Sequence, residues 1–183
     1  MGLDIFISTD KDIDRQDKRN SLSRTFLKLI FQQHDDNDEE INQISEISGV
    51  DLTPLLDMNI PDTSYLEFQL DGIEGDEDIQ RIKNEIAESK KVYSQGIDLI
   101  IDTLQRLDTA LKARPNYYKD LHFTHSYEAY INYFKNYAVD VEPNEYGFVS
   151  DSDTNFGVDI RTLLNYLTFA KSQGATKTYF RFG

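Results

Sequence analysis

Hydrophobic and polar residues alternate with a period of two in three short segments of the chain. These segments cover residues 3–8, 64–71 and 177–182. The alternation predicts strands, because successive side chains of a strand point to opposite faces. An isolated strand would leave its backbone donors and acceptors unpaired. We therefore expect all three segments to share one small sheet, which would bring the two ends of the chain close together.

Much of the remaining chain has the period of an amphipathic helix. One helix is predicted after a cap at 20–21, and its buried face is expected to contain Leu22, Phe26, Leu29, Ile30 and Gln33. A second helix is predicted over 38–48, where Gly49 provides a usual C-terminal stop. Both helices are expected to bury one apolar stripe in a common core.

Two further helices are predicted in the C-terminal part of the chain. The first follows a cap at Ser126, and its apolar stripe excludes Tyr133 and Tyr137, which are expected to point elsewhere. The second has Asp159 as its N-cap and ends at Gly174.

The longest periodic segment covers 76–114 and ends before Pro115. A continuous helix of that length would extend for roughly 55–60 Å at about 1.5 Å per residue, which is longer than a domain of this mass is wide. The hydrophobic phase slips at Gly96, and glycine costs about 1 kcal/mol relative to alanine inside a helix. We expect a break or a helical hairpin near Gly96. A continuous, protruding helix would instead form a coiled coil and a homodimer through 76–114.

These patterns predict an α+β fold that is dominated by helices, with a small, mainly antiparallel sheet that includes both termini. The chain has 183 residues, and domains contain roughly 150 residues. We therefore interpret 1–183 as a single domain.

The composition limits the kinds of site that the chain can form. It contains no cysteine, which excludes disulfides, thiol nucleophiles and thiolate metal sites. No Gly-rich phosphate loop and no nucleophile elbow occurs, and we infer no cofactor. Neither a membrane-length apolar segment nor a secretion signal is present. We expect a cytoplasmic protein without a membrane partner.

The charge is distributed unevenly along the chain. The formal net charge is −14, and the segment 29–80 contains 15 acidic residues but no Lys or Arg. A segment of one sign attracts basic surfaces and repels a nucleic-acid backbone. A basic protein surface is therefore the expected partner, and direct binding of nucleic acid is not expected. The simpler alternative is a solvated acidic face without a partner.

The acidic residues expected to contact such a partner lie in two clusters of the chain. They are Asp35, Asp36, Asp38, Glu39, Glu40, Asp71, Glu74, Asp76, Glu77 and Asp78. Electrostatic steering by such clusters gives fast, salt-sensitive association.

Histidine and carboxylate residues form one candidate metal site. His122, His125 and Glu128 would line one face if a helix began before His122, and they would diverge in an extended segment. Their nitrogen and oxygen atoms are acceptable zinc ligands, but the spacing matches no standard metallohydrolase signature. The alternative is a set of polar residues at the start of a helix.

A second candidate metal site is similar to a calcium-binding loop. Asp151, Asp153 and Asn155 have the spacing of its first oxygen ligands. However, the glycine of the loop falls one position late at Gly157, and Thr162 stands where a bidentate Glu is required. The alternative is a polar turn that leads into a helix cap.

The first seven residues, Met1-Gly2-Leu3-Asp4-Ile5-Phe6-Ile7, resemble the beginning of many small uncharacterised bacterial and bacteriophage proteins. The resemblance implies a cytoplasmic, accessory protein of phage type, and it favours a protein that antagonises or neutralises another protein. It carries over no activity and no site residue.

The sequence leaves three classes of function open. The first is a non-enzymatic acidic protein-binding module, such as an inhibitor, an immunity protein or a nucleic-acid mimic that docks on a basic surface. The second is a metal-dependent enzyme centred on His122 and His125. The third is a structural or self-assembling helical module that uses 76–114. We favour the first class, because the uneven charge is the most distinctive property of the chain.

Overall fold

The computed structural model describes residues 5–11, 13, 21–31, 39–59, 63–70, 72–73, 75–141 and 154–182. The fold is α+β and dominated by helices, as the sequence predicts. The strands are Ile5–Thr9 (β1), Gln95–Gly96 (β2) and Lys177–Phe182 (β3).

Eight α-helices lie within the described residues. In chain order they are Arg24–Phe31 (α1), Glu40–Ser48 (α2), Thr53–Leu56 (α3), Ser64–Leu70 (α4), Asp76–Tyr93 (α5), Ile97–Ala113 (α6), Glu128–Lys135 (α7) and Phe156–Ser172 (α8). A 3-10 helix covers Tyr117–Asp120. None of the helices in these ranges combines the length and the apolar composition that crossing a membrane requires.

The sheet is antiparallel, and its strand order is β1-β3-β2. Strand β3 lies in the centre, with Ile7 opposite Phe180 on one side and Gln95 opposite Thr178 on the other. The first and last described segments of the chain therefore belong to one sheet. This confirms the prediction that the N-terminal and C-terminal strands pair in a small sheet.

The predicted strand over 64–71 is wrong, because Ser64–Leu70 forms helix α4. The Thr63 hydroxyl donates to Glu67 Oε1 at 2.9 Å, and the Glu67 N–H donates to the Thr63 carbonyl at 2.8 Å. These bonds close the first helical turn. Leu66 and Leu70 are half-buried, whereas Phe68 is 76% exposed. The four-residue spacing of the two leucines, rather than the alternation, therefore determines the local structure.

The long periodic segment forms two helices, because the chain leaves the helical conformation between Tyr93 and Ile97. Gly96 has φ −63° and ψ 127°, which any residue can adopt. The intervening residues form β2, and the Ile97 N–H donates to the Thr176 carbonyl at 2.9 Å. Pairing with the sheet therefore stabilises the break.

The apolar stripe of α6 faces the interior of this chain. Ile100, Leu104 and Leu107 are fully buried, and α6 packs against α8. Within the described residues, this stripe is not available to the coiled-coil partner considered from the sequence. The core continues to the inner face of the sheet, where the Phe31 ring meets the Phe180 ring edge-on at 5.0 Å.

The aromatic residues around α7 correct the predicted orientation of two side chains. Tyr133 and Tyr137 are buried, whereas Tyr127 is 56% exposed. Tyr133, Tyr137 and Phe134 surround the ring of Phe156 at centroid distances of 5.9–6.0 Å. Tyr130 and Phe134 are buried as predicted, so the buried face of α7 includes Tyr133 in addition to them.

The predicted N-caps also shift. The side chain of Asn155, not Asp159, caps α8 and accepts from the Val158 N–H at 3.0 Å. At α1, the Ser23 hydroxyl oxygen accepts from the Phe26 N–H at 3.1 Å. The sequence correctly predicts Gly49 as the residue that ends α2, and its φ is 67°.

The start of α7 also differs from the prediction, and one residue of the cap predicted for α1 lies outside the described residues. Helix α7 begins after Tyr127 rather than after Ser126. Residue 20 lies outside the described ranges, while Ser21 forms an isolated β-bridge with Phe6.

Candidate anion-binding site

A cavity of about 510 Å³ lies between the outer face of the sheet and the C-terminal half of α5. Both strands β1 and β3 contribute to its wall, and Tyr166 of α8 also lines it. Of the residues that the structure describes, five basic ones line the cavity, namely Lys11, Lys90, Lys91, Lys177 and Arg181. Their concentration around one cavity contrasts with the net charge of −14.

The alternation of β3 places the basic residues of the sheet on one face. Lys177, Tyr179 and Arg181 line the cavity, whereas Thr178 and Phe180 are fully buried. Successive residues of a strand point to opposite faces, so one register produces both an apolar core face and a cationic face.

Helix α5 contributes the two other lysines from its last turn. Lys90 Nζ lies 3.5 Å from Glu67 Oε1 of α4, and Lys91 Nζ lies 3.5 Å from Glu88 Oε2. Cations are also favoured at this end of a helix by the helix dipole. Ion pairs between side chains as exposed as these contribute little to stability, so both ammonium groups remain available to a stronger anion.

The three basic residues on the sheet side have no carboxylate partner within the described ranges. Among the described residues, no carboxylate oxygen lies within 4.0 Å of a side-chain nitrogen of Lys11, Lys177 or Arg181. The Lys11 side chain lies close to Gly174. A Cβ atom added at Gly174 would lie 2.8 Å from Lys11 Nζ. Gly174 has φ 85°, so this glycine both ends α8 and leaves room for the lysine.

In the described part of the cavity wall there is one carboxylate, that of Asp10, and it accepts hydrogen bonds from other groups. Asp10 accepts from the Thr176 hydroxyl at 2.6 Å, the Thr176 N–H at 2.9 Å and the Lys177 N–H at 3.1 Å. Partial burial raises the pKa of Asp10, but these hydrogen bonds outweigh it and hold the pKa below its ordinary value. Asp10 is therefore ionised at neutral pH and fixes the end of β1 against the beginning of β3.

The rest of the wall is rich in hydroxyl groups. They belong to Ser8, Thr9, Ser94, Tyr166 and Tyr179. The Thr9 hydroxyl donates to the Lys11 carbonyl at 2.9 Å, which holds the turn that carries Lys11. The Ser94 hydroxyl likewise donates to the Lys91 carbonyl at 3.1 Å. The hydroxyls of Ser8 and Tyr179, together with the basic groups, favour binding of an oxyanion. Among the described residues, the lining contains no histidine and Asp10 is its one carboxylate, which is already engaged by hydrogen-bond donors, so the arrangement favours binding over acid–base catalysis.

The acidic residues predicted as a docking surface are only partly within the described residues. Asp35, Asp36, Asp38, Asp71 and Glu74 lie outside them. Asp76, Glu77 and Asp78 are exposed in the first turn of α5, and Asp78 pairs with Arg81 at 3.5 Å. Glu39 is half-buried just before α2.

Glu40 corrects the prediction of an exposed acidic residue at that position. It is only 2% exposed. Its Oε1 accepts from the Thr124 N–H at 2.6 Å and from the Thr124 hydroxyl at 2.9 Å. Glu40 therefore joins α2 to the segment before α7 and does not face a partner.

The predicted histidine site is not assembled. Helix α7 begins only at Glu128, so His122 and His125 lie in the preceding non-helical segment. The backbone of His122 is held by the Gln43 side chain, and the His125 ring lies against Tyr130 at a centroid distance of 5.1 Å. Within the described ranges, no group of three or more His, Asp or Glu residues is placed to hold a metal ion.

Of the three candidate ligands in the loop that is similar to a calcium site, only Asn155 lies within the described residues. Asp151 and Asp153 lie outside the described residues. Asn155 is buried, its Oδ1 caps α8, and its Nδ2 donates to the Val139 carbonyl at 2.9 Å. Its side chain therefore has the structural role of a helix cap.

The cationic cavity was missed because charge was counted along the chain, while the cavity combines three distant segments. The alternation of Lys177, Tyr179 and Arg181 was visible in the sequence. It could have indicated one cationic face of the C-terminal strand, but not the lysines that α5 places opposite it.

Comparisons of the chain with models of protein families, with curated proteins and with solved structures found no match.

Proposed function

We propose that this protein binds a small anionic ligand in the cavity between the sheet and α5, and that it acts through binding rather than catalysis. The observation that carries the proposal is the set of five basic residues around one cavity, three of which have no carboxylate partner among the described residues. An anion of the phosphate or carboxylate class is the ligand that such a set recognises.

The acidity of the whole chain does not oppose this proposal. The Debye length is about 8 Å at physiological ionic strength, so distant exposed carboxylates are largely screened at the cavity. Among the described residues that line the cavity, five are basic and one, Asp10, is acidic. The charge of this described lining is therefore net positive.

The cavity has the size of a small-molecule site. Its volume of about 510 Å³ lies within the range of roughly 300–1,000 Å³ that is typical of such sites. The wall combines basic groups, hydroxyls and the apolar surface of Ile13 and Ala87. This composition fits a ligand with a charged end and a less polar remainder.

Calorimetric titration tests the proposal, with sulfate, inorganic phosphate, pyrophosphate and citrate as probes. We expect at least one of them to bind at a single site. Replacing Lys177 or Arg181 by glutamine should weaken binding by about tenfold or more, because a hydrogen bond to a charged group contributes about 1.5–3 kcal/mol.

Lys135→Gln provides the matched control, since Lys135 is exposed on α7 and does not line the cavity. It changes the net charge of the chain by the same amount, and we expect it to leave affinity within about twofold of the parent. Circular dichroism verifies that each variant is folded. Absence of binding by all four probes, or equal losses in Lys135→Gln and Arg181→Gln, would contradict the proposal.

A second function is favoured by the exposed acidic turn of α5. Asp76, Glu77 and Asp78 carry three adjacent carboxylates, of which Asp78 has a basic neighbour in Arg81. This turn supports the proposal, made from the charge of 29–80, that the protein docks on a basic protein surface. The simpler role of these residues is to stabilise the positive end of the helix dipole.

An oligolysine peptide is a suitable probe for the docking function. The parent should bind it in a salt-sensitive manner, and the triple variant Asp76→Asn, Glu77→Gln, Asp78→Asn should bind it more weakly. The triple variant Asp98→Asn, Asp102→Asn, Glu128→Gln removes three exposed carboxylates from α6 and α7 and controls for net charge. A loss of helix stability without a change in peptide binding would assign these residues to the helix dipole alone.

A further inference from the structure

We infer that the ligand of the cavity carries a diphosphate group, or an oligoanion of equivalent charge, that bridges α5 and the sheet. This inference rests on the proposed anion-binding function and specifies its ligand. It follows from the way the basic groups are divided between two walls, with Lys90 and Lys91 on α5 and Lys11, Lys177 and Arg181 on the sheet side.

The balance of charge indicates more than one anionic group. On the sheet side, three basic residues have no carboxylate partner in the described part of the chain. The charge of Asp10 is directed to two backbone N–H groups and a hydroxyl rather than to an ammonium or guanidinium group. A ligand with one negative charge would leave most of this wall uncompensated, whereas a diphosphate supplies two or three charges and several acceptor oxygens.

The two walls have different mechanical support. The sheet wall is fixed by the pairing of β1 with β3 and by the buried core on the other face. Helix α5 packs mainly on α4. Residue Asn59 links α5 to the sheet, since its N–H donates to the Tyr93 carbonyl at 3.2 Å and its carbonyl accepts from the Phe180 N–H at 3.1 Å. An oligoanion in the cavity would add a direct electrostatic connection between these walls.

Glu67 is the internal competitor for such a ligand. Its Oε1 lies 3.5 Å from Lys90 Nζ and is held in place by the Thr63 hydroxyl at 2.9 Å. An incoming diphosphate has to displace or share this contact, and it is also repelled by the Glu67 charge. Removing the charge at Glu67 should therefore strengthen ligand binding, which is the opposite of what a merely structural ion pair predicts.

The test compares inorganic phosphate, pyrophosphate and ADP as probes in calorimetric titrations without divalent cations. We expect pyrophosphate to bind at least about tenfold more tightly than phosphate. ADP that binds more tightly than pyrophosphate would place the diphosphate on a nucleoside, and ADP that binds more weakly would indicate a free diphosphate. Both of these results support the inferred class of ligand.

Two variants test the bridging geometry. Glu67→Gln should tighten pyrophosphate binding several-fold, and Lys91→Gln should weaken pyrophosphate binding more than phosphate binding. Glu77→Gln is the matched control, because Glu77 is exposed at the opposite end of α5 and its loss changes the net charge equally. We expect it to change affinity by less than about twofold.

The two proposals fail in different ways. Equal affinity for phosphate and pyrophosphate, or an equal gain in Glu67→Gln and Glu77→Gln, would overturn the diphosphate inference and leave the anion site in place. Absence of binding by all three probes, together with sulfate and citrate, would overturn the anion site itself.

Discussion

The Tyr133 hydroxyl donates a hydrogen bond of 2.8 Å to Asp159 Oδ2 in the interior of the protein. Asp159 is fully buried, and it also accepts from the Ser23 N–H at 3.0 Å and from the Ser23 hydroxyl at 2.6 Å. One carboxylate thereby connects α7, α8 and the start of α1. Buried charges are tolerated when donors of this kind satisfy them.

Asp159→Ala should strongly destabilise the fold. The substitution leaves the N–H and hydroxyl of Ser23 and the hydroxyl of Tyr133 without their buried acceptor, and we expect a loss of about 3–5 kcal/mol in the free energy of unfolding. Tyr133→Phe removes one hydrogen bond to a charged group and should cost about 1.5–3 kcal/mol. Urea denaturation measures both changes. A loss for Asp159→Ala no larger than that for exposed Asp98→Ala would refute the role of this network.

The fold class could be predicted because the terminal strands and the main helices have clear periods. Strand β3 alternates over its whole length, and the stripe of α6 continues for four turns. The segment 64–71 misled the prediction because Leu66 and Leu70 satisfy both a two-residue and a four-residue period. Only tertiary packing on α5 and the bonds between Thr63 and Glu67 distinguish the two.

The candidate site could not be predicted because its charges converge from distant parts of the chain. Lys11, Lys90 and Arg181 belong to three separate segments, and their proximity depends on β3 lying at the centre of the sheet with α5 across its outer face. The local composition instead favoured the acidic segment 29–80 as the binding surface. A count of charge along the sequence therefore finds runs of one sign but does not reveal a set assembled by the fold.

Gly157→Ala should destabilise α8 at its first turn. A methyl group at this position would overlap the backbone carbonyl oxygen of Tyr137, which cannot rotate away as a side chain can. We expect a loss of at least about 2 kcal/mol in thermal or urea denaturation. Gly72→Ala is the matched control, since no atom lies within 4 Å of its added methyl group, and it should change stability by less than about 0.5 kcal/mol. Similar stabilities of the two variants would contradict this packing.

Alkaline pH should unfold the protein cooperatively. Burial raises the pKa of Tyr117, Tyr133 and Tyr137, and nearby Asp159 and Asp108 add to the effect at Tyr133 and Tyr137 respectively. A raised folded-state pKa stabilises the protein below the unfolded-state value of about 10, and this stabilisation is lost as the pH rises above it. Each of the three tyrosines then removes about 1.4 kcal/mol per pH unit.

Absorbance of ionised tyrosine, followed together with circular dichroism, measures this alkaline transition. The buried tyrosines should ionise only as the helical signal is lost. In Tyr133→Phe, unfolding should release one proton fewer at alkaline pH. The free energy of unfolding should therefore decrease less steeply with pH than in the parent. Ionisation of all tyrosines in a protein that remains folded would refute the prediction.

Acid pH should weaken the connection between Asp10 and the start of β3. Burial raises the pKa of Asp10, but its hydrogen bonds with Thr176 and Lys177 lower it below 3.8 overall. A depressed pKa contributes stability above the unfolded-state value, and this contribution is lost as the pH falls below about 4. Asp10→Asn should therefore be less stable than the parent at pH 6, and the difference should decrease towards pH 2. A difference that is independent of pH would argue against an ionic role for Asp10.

Removal of one cation from the cavity wall should stabilise the protein in the absence of ligand. Lys177 and Arg181 lie on the same face of β3, four residues apart, and Lys11 lines the same cavity. Like charges held together repel one another, and this repulsion is screened by salt. We expect Arg181→Gln to raise the melting temperature at low ionic strength and to lose this advantage at high salt. Lys135→Gln, which lies outside the cavity, should have little effect. A decrease in the melting temperature of Arg181→Gln at low salt would indicate that the guanidinium group stabilises the sheet. The basic residues of the cavity wall would then contribute to folding stability and would not be explained by binding of an anion.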